Sequence, residues 1–439
     1  MNICLLNDSF PPIIDGVSNT VQNYALELKR LGDCPSVVTP EYPGADDSAY
    51  CYPVLRYPGF DAREIIGYIA GYPFSPEVLH ALEEEKVEIL HSHCPVASTM
   101  LARALREQLK VPLVFTYHTK FDIDIENAIR GKLLQESAVR ALVSNVEACD
   151  EVWVVSDGAG RNLKSLGYKG DYIVMENGVD VPRGRLDRER YMSLTDSYGF
   201  DLPDDLPLFL FVGRTMWYKG LRMMLDALKA IASGGMDFRT VIIGSGQDME
   251  EVRSYVTELG LEDRVLFTGP VYDREMLSAW YCRANLFLFP STFDTNGLVV
   301  REAAACSLPS VLIRGSCAAE GISDCRNGFT VDETPESLAV LLTRICMNFG
   351  SGDSSGFGSR RMLSTVGDCA ANEIYISWAD SVAKARRRYD TVIENYRSGV
   401  YKKHFRPDDE IFRLSGDLMD FFTNVKELVS PGEEDEVHL

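Results

Sequence analysis

Two carboxylates and one glycine lie around a predicted helix start in the second half of the chain. Asp294 stands in the loop after the apolar stretch LFLF, Gly297 follows it, and Glu302 lies eight positions beyond Asp294 in the run LVVREAAAC. A helix N-terminus exposes unpaired N–H groups and a partial positive charge, so it binds anions. This spacing indicates a ligand that carries both hydroxyls and phosphates. A capped helix after a buried strand, with Glu302 in solvent, would give the same pattern.

Two cations follow the first strand that we predict in the second half. Arg214 and Lys219 stand in the segment GRTMWYKG. A guanidinium binds two phosphate oxygens at once, and an ammonium adds a mobile point charge. At the end of a strand, the pair would neutralise a diphosphate leaving group. Two surface cations at a turn are the alternative interpretation.

Two glycines stand where a phosphate would approach the backbone. Gly16 follows FPPIID at the predicted start of the first helix, and Gly244 begins the segment GSGQD. The first segment is not the GxGxxG fingerprint, so a nicotinamide enzyme loses its main sequence signal. A simple strand-to-helix turn explains Gly16 equally well, and the second segment is a weak signal by itself.

Histidines and a pair of aspartates raise the question of a metal. His118 ends the apolar stretch LVFTYH, where its side chain would reach a site unless it is satisfied in the core. His91 and His93 could join it as ligands, and Asp122-Ile123-Asp124 resembles a manganese-binding Asp-x-Asp motif. No acid or cysteine at ligand spacing joins the histidines, and the acidic pair lies beyond its strand. We therefore predict no metal site.

The composition limits the classes of function. A net charge of −21 over 439 residues argues against nonspecific nucleic-acid binding, and it gives no general attraction to an anionic membrane. Eleven cysteines without a Cys-x-x-Cys pair indicate reduced thiols in a cytosol. The start MNICLLNDSF does not read as a signal peptide, and no apolar run is long enough for a transmembrane helix. We therefore expect a cytoplasmic protein.

Two series of short apolar strands alternate with amphipathic helices, and a polar stretch separates them. This alternation predicts an α/β chain with two parallel sheets, each covered by helices on both faces. Ligands of such sheets bind at the carboxyl ends of the strands, so we expect the site in a cleft between the halves. The predicted segments are an N-terminal domain, a linker, a C-terminal domain, a closing helix and a tail, at 1–180, 181–206, 207–373, 374–396 and 397–439.

Several motifs occur together in a fixed order, and the order is more specific than any one of them. They are NDSFPPIIDGVS, HSHCPVAS, YHTKFD, ENGVD, GRTMWYKG, GSGQD, VLFTGPV and FPSTFDTNGLVVREAAACSLP. Residues 1–395 thereby resemble the retaining GT-B glycosyltransferases, whose members include the phosphatidylinositol mannosyltransferases and the glucosyl-diacylglycerol synthases. The resemblance implies two Rossmann-like, doubly wound domains facing across a cleft. It also implies a closing helix, anchored by Trp378, that crosses back to the first domain.

The resemblance assigns the diphosphate to Gly16 from the first domain and to Arg214 and Lys219 from the second. Glu302 matches the acid that binds the ribose hydroxyls. Asp294 occupies the position of the acid that contacts the donor hexose. That acid is usually glutamate in the family, so the shorter Asp294 leaves the identity of the hexose open.

Five further residues receive roles from the same resemblance. Gly297 and Leu298 match backbone amides that contact the hexose and phosphate, and His118 matches a histidine beside the sugar. Val271 lies where the backbone usually meets the base, and Gly244 completes the donor-binding set. The predicted catalytic group consists of His118, Asp294, Arg214 and Lys219.

The implied reaction moves a hexose, with glucose expected, from a UDP-sugar to an acceptor hydroxyl and retains the anomeric configuration. In this family the leaving phosphate is thought to take the acceptor's proton. No cofactor is implied, and no metal is required where two cations and helix ends neutralise the leaving group. The predicted partners are a nucleotide-sugar donor and a lipid or sugar acceptor, with no nucleic acid. Domain closure would exclude water.

The acceptor stays open between two classes. Tyr117 to Asp122 is most like the diacylglycerol glucosyltransferase branch, which favours a lipid. A lipid acceptor needs a membrane-facing surface on the N-terminal domain, at the inner face of the membrane. The cations and leucines of 130–140 would supply this peripheral contact unless they form an ordinary packed helix; they are Arg130, Lys132, Leu133, Leu134 and Arg140. A soluble sugar or glycan acceptor, and a degenerate nucleotide-sugar-binding protein without turnover, are the alternatives. A sugar phosphorylase shares the fold, but the pyridoxal-binding lysine context of the glycogen type is not seen.

Overall fold

The chain folds into two α/β units, each built on a parallel sheet. The computed structural model describes residues 1–13, 15–61, 69–121, 125, 129, 131–350, 356–401 and 409–429, and the side chains only as far as 419. Residues 1–176 and 378–439 form the first unit, and residues 177–377 form the second. The Asp-x-Asp segment at 122–124 and Arg130 lie outside the described residues.

A seven-stranded parallel sheet forms the centre of the first unit, in the order β3-β2-β1-β6-β7-β8-β9. Two short strands, β4 and β5, pair antiparallel beside it. The strands of this unit are β1 Asn2–Leu6, β2 Cys34–Pro40, β3 Val54–Tyr57, β4 Gly59–Asp61, β5 Ile69–Gly71, β6 Ile89–Ser92, β7 Leu113–Tyr117, β8 Glu151–Val154 and β9 Ile173–Val174. The sheet strands are mainly buried apolar runs, as expected when helices cover both faces.

Side chains of one strand alternate between two cores in this unit. Ile3 and Leu5 pack with the helices Gly16–Arg30 and Trp378–Arg397, whereas Cys4 and Leu6 pack with the helices Pro76–Glu84, Ala97–Leu109 and Asp409–Val429. This two-residue period places helices on both faces of the sheet. The helices are α1 Gly16–Arg30, α2 Pro76–Glu84, α3 Ala97–Leu109, α4 Lys132–Glu147, α5 Asp157–Ser165, α13 Trp378–Arg397 and α14 Asp409–Val429.

A six-stranded parallel sheet forms the centre of the second unit, in the order β12-β11-β10-β13-β14-β15. Its strands are β10 Leu208–Val212, β11 Arg239–Ile243, β12 Val265–Gly269, β13 Leu286–Phe289, β14 Ser310–Ile313 and β15 Phe329–Val331. Its helices are α6 Arg188–Asp196, α7 Leu221–Ser233, α8 Met249–Glu258, α9 Arg274–Arg283, α10 Leu298–Ala305, α11 Pro335–Phe349 and α12 Arg360–Glu373. Short 3-10 turns lie at Trp217–Lys219 and Cys317–Ala319.

The segment predicted as a linker, the closing helix and the tail each contain a helix that packs on one of the two units. Residues 181–206, predicted as a linker, contain α6, which packs on α9 of the second unit. The closing helix begins at Trp378 and packs against α1 in the first unit. The tail contains α14, which packs on α2 and α3. None of the helices in the described ranges is both long enough and apolar enough to cross a bilayer.

Candidate functional site

The sheet of the second unit reverses its strand order between β10 and β13. From β10 the chain continues to β11 on one side, and β13 lies on the other side of β10. The loops that leave β10 and β13 at their carboxyl ends therefore diverge and open a crevice between them. Lys219 follows β10, and Asp294 follows β13, so both predicted residues lie at this reversal point.

Gly220 brings these two loops into contact. It has φ +78°, and a Cβ there would lie 2.3 Å from the carbonyl oxygen of Pro290. Only glycine fits such a close approach of two backbones in the left-handed region. Because Gly220 also begins the turn into α7, the preceding lysine is held beside the loop that carries Asp294.

Lys219 and Asp294 form an ion pair, with 2.5 Å between Nζ and Oδ1. The other oxygen, Oδ2, accepts a hydrogen bond of 2.5 Å from the Ser291 hydroxyl. The lysine side chain is 7% exposed and the aspartate 23%. Burial lowers the pKa of Lys219, the Asp294 carboxylate partly offsets this effect, and Arg214 adds to the lowering. A poorly solvated ammonium of this kind gains much from an additional anion.

Arg214 differs from the lysine in its environment. Its side chain is exposed, its Cζ lies 5.8 Å from the centre of the Tyr218 ring, and it forms no ion pair with any residue the structure describes. Its guanidinium therefore remains available for an anion. The two cations stand close enough for Arg214 to affect the pKa of Lys219.

The N-terminus of α10 lies at the same edge. Gly297 has φ +56°, a Cβ there would come within 3.0 Å of the Ala318 side chain, and no side chain caps the helix. Leu298, the first helical residue, is half-buried. The preceding Asn296 places both its Oδ1 and its Nδ2 in a buried position without a hydrogen-bond partner. This helix start therefore offers uncompensated N–H groups together with an unpaired carboxamide.

Glu302 projects from the second turn of α10 toward α9. Its Oε2 accepts a hydrogen bond of 2.8 Å from the Tyr281 hydroxyl, and its Oε1 lies 3.9 Å from Arg274 Nη1. Arg274 in turn donates to Asp180 at 3.0 Å. Burial raises the pKa of Glu302, so the carboxylate is costly without further donors. Sugar hydroxyls would supply such donors.

Two glycines after β11 allow another close approach of loops. A Cβ on Gly244 would lie 1.9 Å from the Gly213 oxygen, and a Cβ on Gly246 would lie 2.2 Å from the Thr215 oxygen. The Thr215 N–H donates to the Ser245 carbonyl at 3.0 Å. Gly244 therefore keeps the loop with Arg214 against the next loop. Val271 follows β12 and packs partly buried against the core of the second unit.

His118 lies at the carboxyl end of β7 in the first unit and pairs with another histidine. Its Nε2 is 2.9 Å from Nδ1 of His93, so one ring donates to the other. Burial lowers the pKa of His118 to about 3 and also lowers the pKa of His93. Both imidazoles are therefore neutral near neutral pH. His91 instead hydrogen-bonds Tyr389 at 2.5 Å and Thr116 at 2.7 Å.

Gly16 begins α1, whose N-terminus already has a cap. The Asp15 carboxylate accepts from the N–H groups of Val17 and Ser18 at 2.8 and 2.7 Å. A Cβ on Gly16 would meet no atom within 4 Å, so packing within the chain does not require glycine there. The role of Gly16 toward a diphosphate stays a prediction.

Within the described ranges, no group of three or more histidine, cysteine, aspartate or glutamate side chains is placed to hold an ion.

Sequence reasoning did not predict three contacts of the site residues or the carboxylate that caps α3. Ser291 and Tyr281 hold the two acids, and His93 pairs with His118. Asp8, after β1, accepts from the N–H groups of Ala97 and Ser98 at 3.2 and 2.6 Å and thereby caps α3. The serine could have been found from its spacing of three before Asp294, which is typical of a local turn. The others come from separate elements and carry no local signal.

The architecture and two family models identify the class of the chain. A solved structure of Anabaena Alr3699/HepE with UDP superposes with a TM-score of 0.68 at 17% identity, over 89% of this chain and 100% of that one. It supports the predicted GT-B fold. Residues 206–348 match the model described as glycosyl transferases group 1, and residues 14–183 match the one described as glycosyltransferase family 4. The chain is a glycosyltransferase, since the two models together cover more than half of it.

Curated relatives of this glycosyltransferase act on different acceptors. An alpha-monoglucosyldiacylglycerol synthase of Streptococcus pneumoniae is 22% identical over 316 residues, which are 71% of this chain and 70% of that protein. A D-inositol 3-phosphate glycosyltransferase of Xylanimonas cellulosilytica is 29% identical over 351 residues, 76% of this chain and 81% of that protein. The chain is thus similar both to a monoglucosyldiacylglycerol synthase and to an inositol 3-phosphate glycosyltransferase.

Proposed function

We propose that this chain is a retaining glucosyltransferase that moves glucose from UDP-glucose to a hydroxyl of a diacylglycerol-type lipid. The observation that carries the donor half of the proposal is the pairing of Lys219 with Asp294 at the reversal point of the second sheet, beside Arg214 and the open start of α10. HepE has also been solved with UDP-glucose, at a TM-score of 0.61 and 17% identity over 91% of this chain, which favours this donor.

Each group at this edge has a role in the proposed donor complex. The Arg214 guanidinium binds two oxygens of the diphosphate at once, and the Lys219 ammonium adds a point charge beside them. The N–H groups at Gly297 and Leu298 bind phosphate or hexose oxygens. Glu302, already held by Tyr281, accepts from the ribose hydroxyls.

In the proposed reaction, the bond between the anomeric carbon and the β-phosphate oxygen breaks, and the acceptor oxygen bonds to the same face of that carbon. The acceptor proton goes to an oxygen of the leaving diphosphate, so UDP is the co-product. Positive charge from Arg214, Lys219 and the helix start stabilises the developing charge on the diphosphate. Because these groups supply that charge, we propose a transfer that is independent of a metal ion.

UDP release tests the donor site. Purified protein with UDP-glucose and acceptor should release UDP, and either Arg214→Ala or Lys219→Ala should lower kcat/KM by at least about 100-fold, since each removes about 3 kcal/mol of transition-state stabilisation. Lys229→Ala, an exposed lysine on α7, is the matched control and should behave as the wild type. Unchanged turnover in both site variants would contradict the assignment.

The same assay tests the degenerate alternative. No UDP release from any donor, with a nucleotide sugar still raising the melting temperature, would make the chain a binding protein without turnover.

An exposed apolar face on α4 supports a lipid acceptor. Leu133 and Leu134 are 76% and 62% exposed in its first turn, and the neighbouring Lys132 and Arg140 are exposed cations. Leucines beside cations favour the interface of an anionic membrane, with the leucines in the acyl boundary and the cations at the headgroups. We propose that this face, Lys132 to Arg140, carries the peripheral contact.

Liposome sedimentation tests this face. Wild-type protein should co-sediment with anionic vesicles, and the double change Leu133→Glu with Leu134→Glu should abolish co-sedimentation while leaving UDP binding intact. Val340→Glu, at a valine that is 63% exposed on α11, is the control and should bind as before. Equal sedimentation of all three proteins would contradict the proposed contact.

The inositol phosphate relative, 29% identical, favours a soluble acceptor as the second candidate. Parallel assays with diacylglycerol in vesicles and with inositol 3-phosphate separate the two. Transfer to the soluble acceptor alone would replace the lipid in the proposal and leave the donor assignment unchanged.

A further inference from the structure

A cavity of about 90 Å³ lies at the amino ends of the strands in the second unit. Its lining includes Leu208 and Arg239, which begin β10 and β11, and Asn285, which precedes β13. The proposed donor residues follow the carboxyl ends of the same strands. The cavity is therefore separate from the donor site and has no part in the proposed transfer.

Five guanidinium groups but only one carboxylate line this cavity. The carboxylate belongs to Asp204. The segment 181–206, strand β11 and helices α9 and α12 supply the cations. They are Arg185, Arg188, Arg239, Arg283 and Arg360.

Carboxylates near the cavity compensate only part of this charge. Arg188 Nη2 lies 2.6 Å from Asp204 Oδ2, and Arg239 Nη2 lies 3.1 Å from Asp201 Oδ2. These two aspartate side chains are 51% and 79% exposed, so water screens both pairs.

Two further guanidiniums, those of Arg185 and Arg360, donate to carbonyl groups instead of carboxylates. Arg185 donates to the carbonyl oxygens of Cys306, at 2.9 Å, and Cys282, and Arg360 donates to the carbonyl of Asp204. A carbonyl carries no formal charge. The cavity therefore keeps a positive excess.

Arg283 is the most buried of the five. Its side chain is 7% exposed, and its Nη2 donates to the Leu202 carbonyl at 2.9 Å. Its Nη1 is buried and makes no hydrogen bond in the described structure, although Asp196 Oδ1 lies 3.4 Å away without the required geometry. Asp204 Oδ1 also lies 3.9 Å from Nη2, so carboxylates are near this guanidinium, but a buried N–H group that makes no hydrogen bond is still costly. An anionic oxygen in the cavity would remove this cost.

We propose that this cavity binds a phosphate-class oxyanion. Guanidinium groups present paired N–H donors that match two oxygens of such an anion. The volume exceeds the roughly 10–15 Å³ that a single buried water needs, so the cavity has room for an anion larger than a water molecule. Free inorganic phosphate and the phosphate of a small phosphomonoester share this chemistry.

Thermal unfolding of the full chain with saturating UDP present tests the site apart from the donor edge. Inorganic phosphate at about 100 times its Kd should raise the melting temperature of the second unit by about 5 to 10 °C over sodium chloride of equal ionic strength. Arg188→Gln and Arg283→Gln should each weaken phosphate binding at least tenfold. Arg314→Gln, at an exposed arginine paired with Asp332 outside the cavity, should bind phosphate as the wild type does.

Each outcome has a definite meaning. If Arg283→Gln does not fold, the exposed Arg188→Gln and Arg360→Gln carry the same test. A stronger shift with glycerol phosphate than with inorganic phosphate identifies a phosphomonoester as the ligand, and the reverse identifies the free anion. No shift beyond that of chloride, equal shifts in all variants, or a shift that saturating UDP abolishes would overturn the proposal.

Discussion

Two opposing effects act on the pKa of Lys219 at the donor edge, which is the carboxyl edge of the second sheet where we propose that the donor binds. Burial favours its neutral form, and the adjacent Asp294 carboxylate favours the ammonium. The aspartate is fixed by Ser291 and therefore keeps the lysine in place before any donor arrives. The pair thus prepares a cation that is poorly hydrated and gains a second anion when the diphosphate binds.

Removing the charge of Asp294 should therefore affect the lysine as well. Asp294→Asn should lower the pKa of Lys219 further and reduce kcat/KM for the donor by at least about 100-fold, or about 3 kcal/mol. Asp294→Glu keeps the charge and should retain activity within about tenfold. Steady-state kinetics across pH 6 to 10 measures both, and equal activity of the Asn and Glu variants would contradict this account.

Asn296 makes a separate prediction possible, because its carboxamide is buried and unpaired. Asn296→Ala removes the cost of the unsatisfied group, about 1–3 kcal/mol, and creates a small cavity, so the unfolding free energy should stay within about 1 kcal/mol. If the carboxamide binds the donor, KM for UDP-glucose should rise about tenfold. Urea unfolding and donor kinetics on the same preparation check the two outcomes; an unchanged KM would remove Asn296 from the donor site.

The buried, neutral His118 makes the stability of the first unit depend on pH. In the unfolded chain a histidine binds its proton near pH 6.5, and in the folded chain His118 does so at about 3. Between these values the unfolded state holds more protons, so the free energy of unfolding falls as the pH falls. His118→Asn should make this loss shallower by up to about 1.4 kcal/mol per pH unit.

Urea titrations between pH 4 and 7 measure this slope. His80→Asn, at a histidine on α2 that is 42% exposed, is the control and should keep the wild-type slope. Identical slopes for the His118 variant and the wild type would show that burial does not govern its protonation.

At the scale of residues, the sequence indicated which polar side chains follow strands and left their partners unknown. Lys219 and Asp294 were both placed at strand ends, and the structure brings them to 2.5 Å. The contact between Tyr281 and Glu302 depends on how α9 and α10 pack. No local spacing encodes such a contact, because it joins residues of separate helices. The catalytic and binding roles of these residues remain predictions.

At the scale of elements, close approaches of loops through glycine decide the shape of the donor edge. Gly220→Ala would place a Cβ 2.3 Å from the Pro290 carbonyl in addition to its positive φ. Gly235 has nearly the same φ, +79°, but no atom within 4 Å of such a Cβ. We expect Gly235→Ala to cost about 1–2 kcal/mol and Gly220→Ala at least about 2 kcal/mol more, with loss of donor binding.

Denaturant unfolding with and without UDP compares the two glycine variants. The difference between them isolates the steric contact, since the backbone conformation is matched. Similar stabilities would mean that the two loops separate at little cost.

The alternation of apolar strands and amphipathic helices predicted two parallel sheets, and the structure confirms the α/β class; the edge strands β3 and β15 were not predicted. Composition failed at 181–206, where polar residues, prolines and glycines indicated a linker. Helix α6 forms there because Tyr191 packs against the core of the second unit, while charged residues cover its outer face. With only Tyr191 of α6 packed on that core, the apolar periodicity of the segment is too weak to indicate a helix.

At the scale of the whole molecule, the C-terminal segment completes the first unit. Arg103 on α3 is 1% exposed, and its Nη2 lies 2.9 Å from Asp409 Oδ1 on α14. Its guanidinium also lies 3.8 Å from the centre of the Phe412 ring. The tail, for which the sequence suggested no role, therefore neutralises a buried cation of the first unit.

Asp409→Ala should destabilise the first unit by about 3 kcal/mol, because it leaves the buried guanidinium without this carboxylate. Glu410→Ala, which removes an exposed pair with Arg413 on the same helix, should have little effect. Hydrogen exchange followed by mass spectrometry resolves the two units. Faster exchange confined to the first unit is expected, and equal effects of both variants would contradict the role of Asp409.

The division of the chain has a consequence for its synthesis. The second unit is a continuous insertion, and its two ends lie side by side, with Val179 bridged to Ser377. The first unit needs Trp378, Val382 and Tyr389 in its core, and these residues are made after the whole insertion. During synthesis on the ribosome, we therefore expect the second unit to finish folding before the first. The first unit cannot complete its core until α13 has been synthesised.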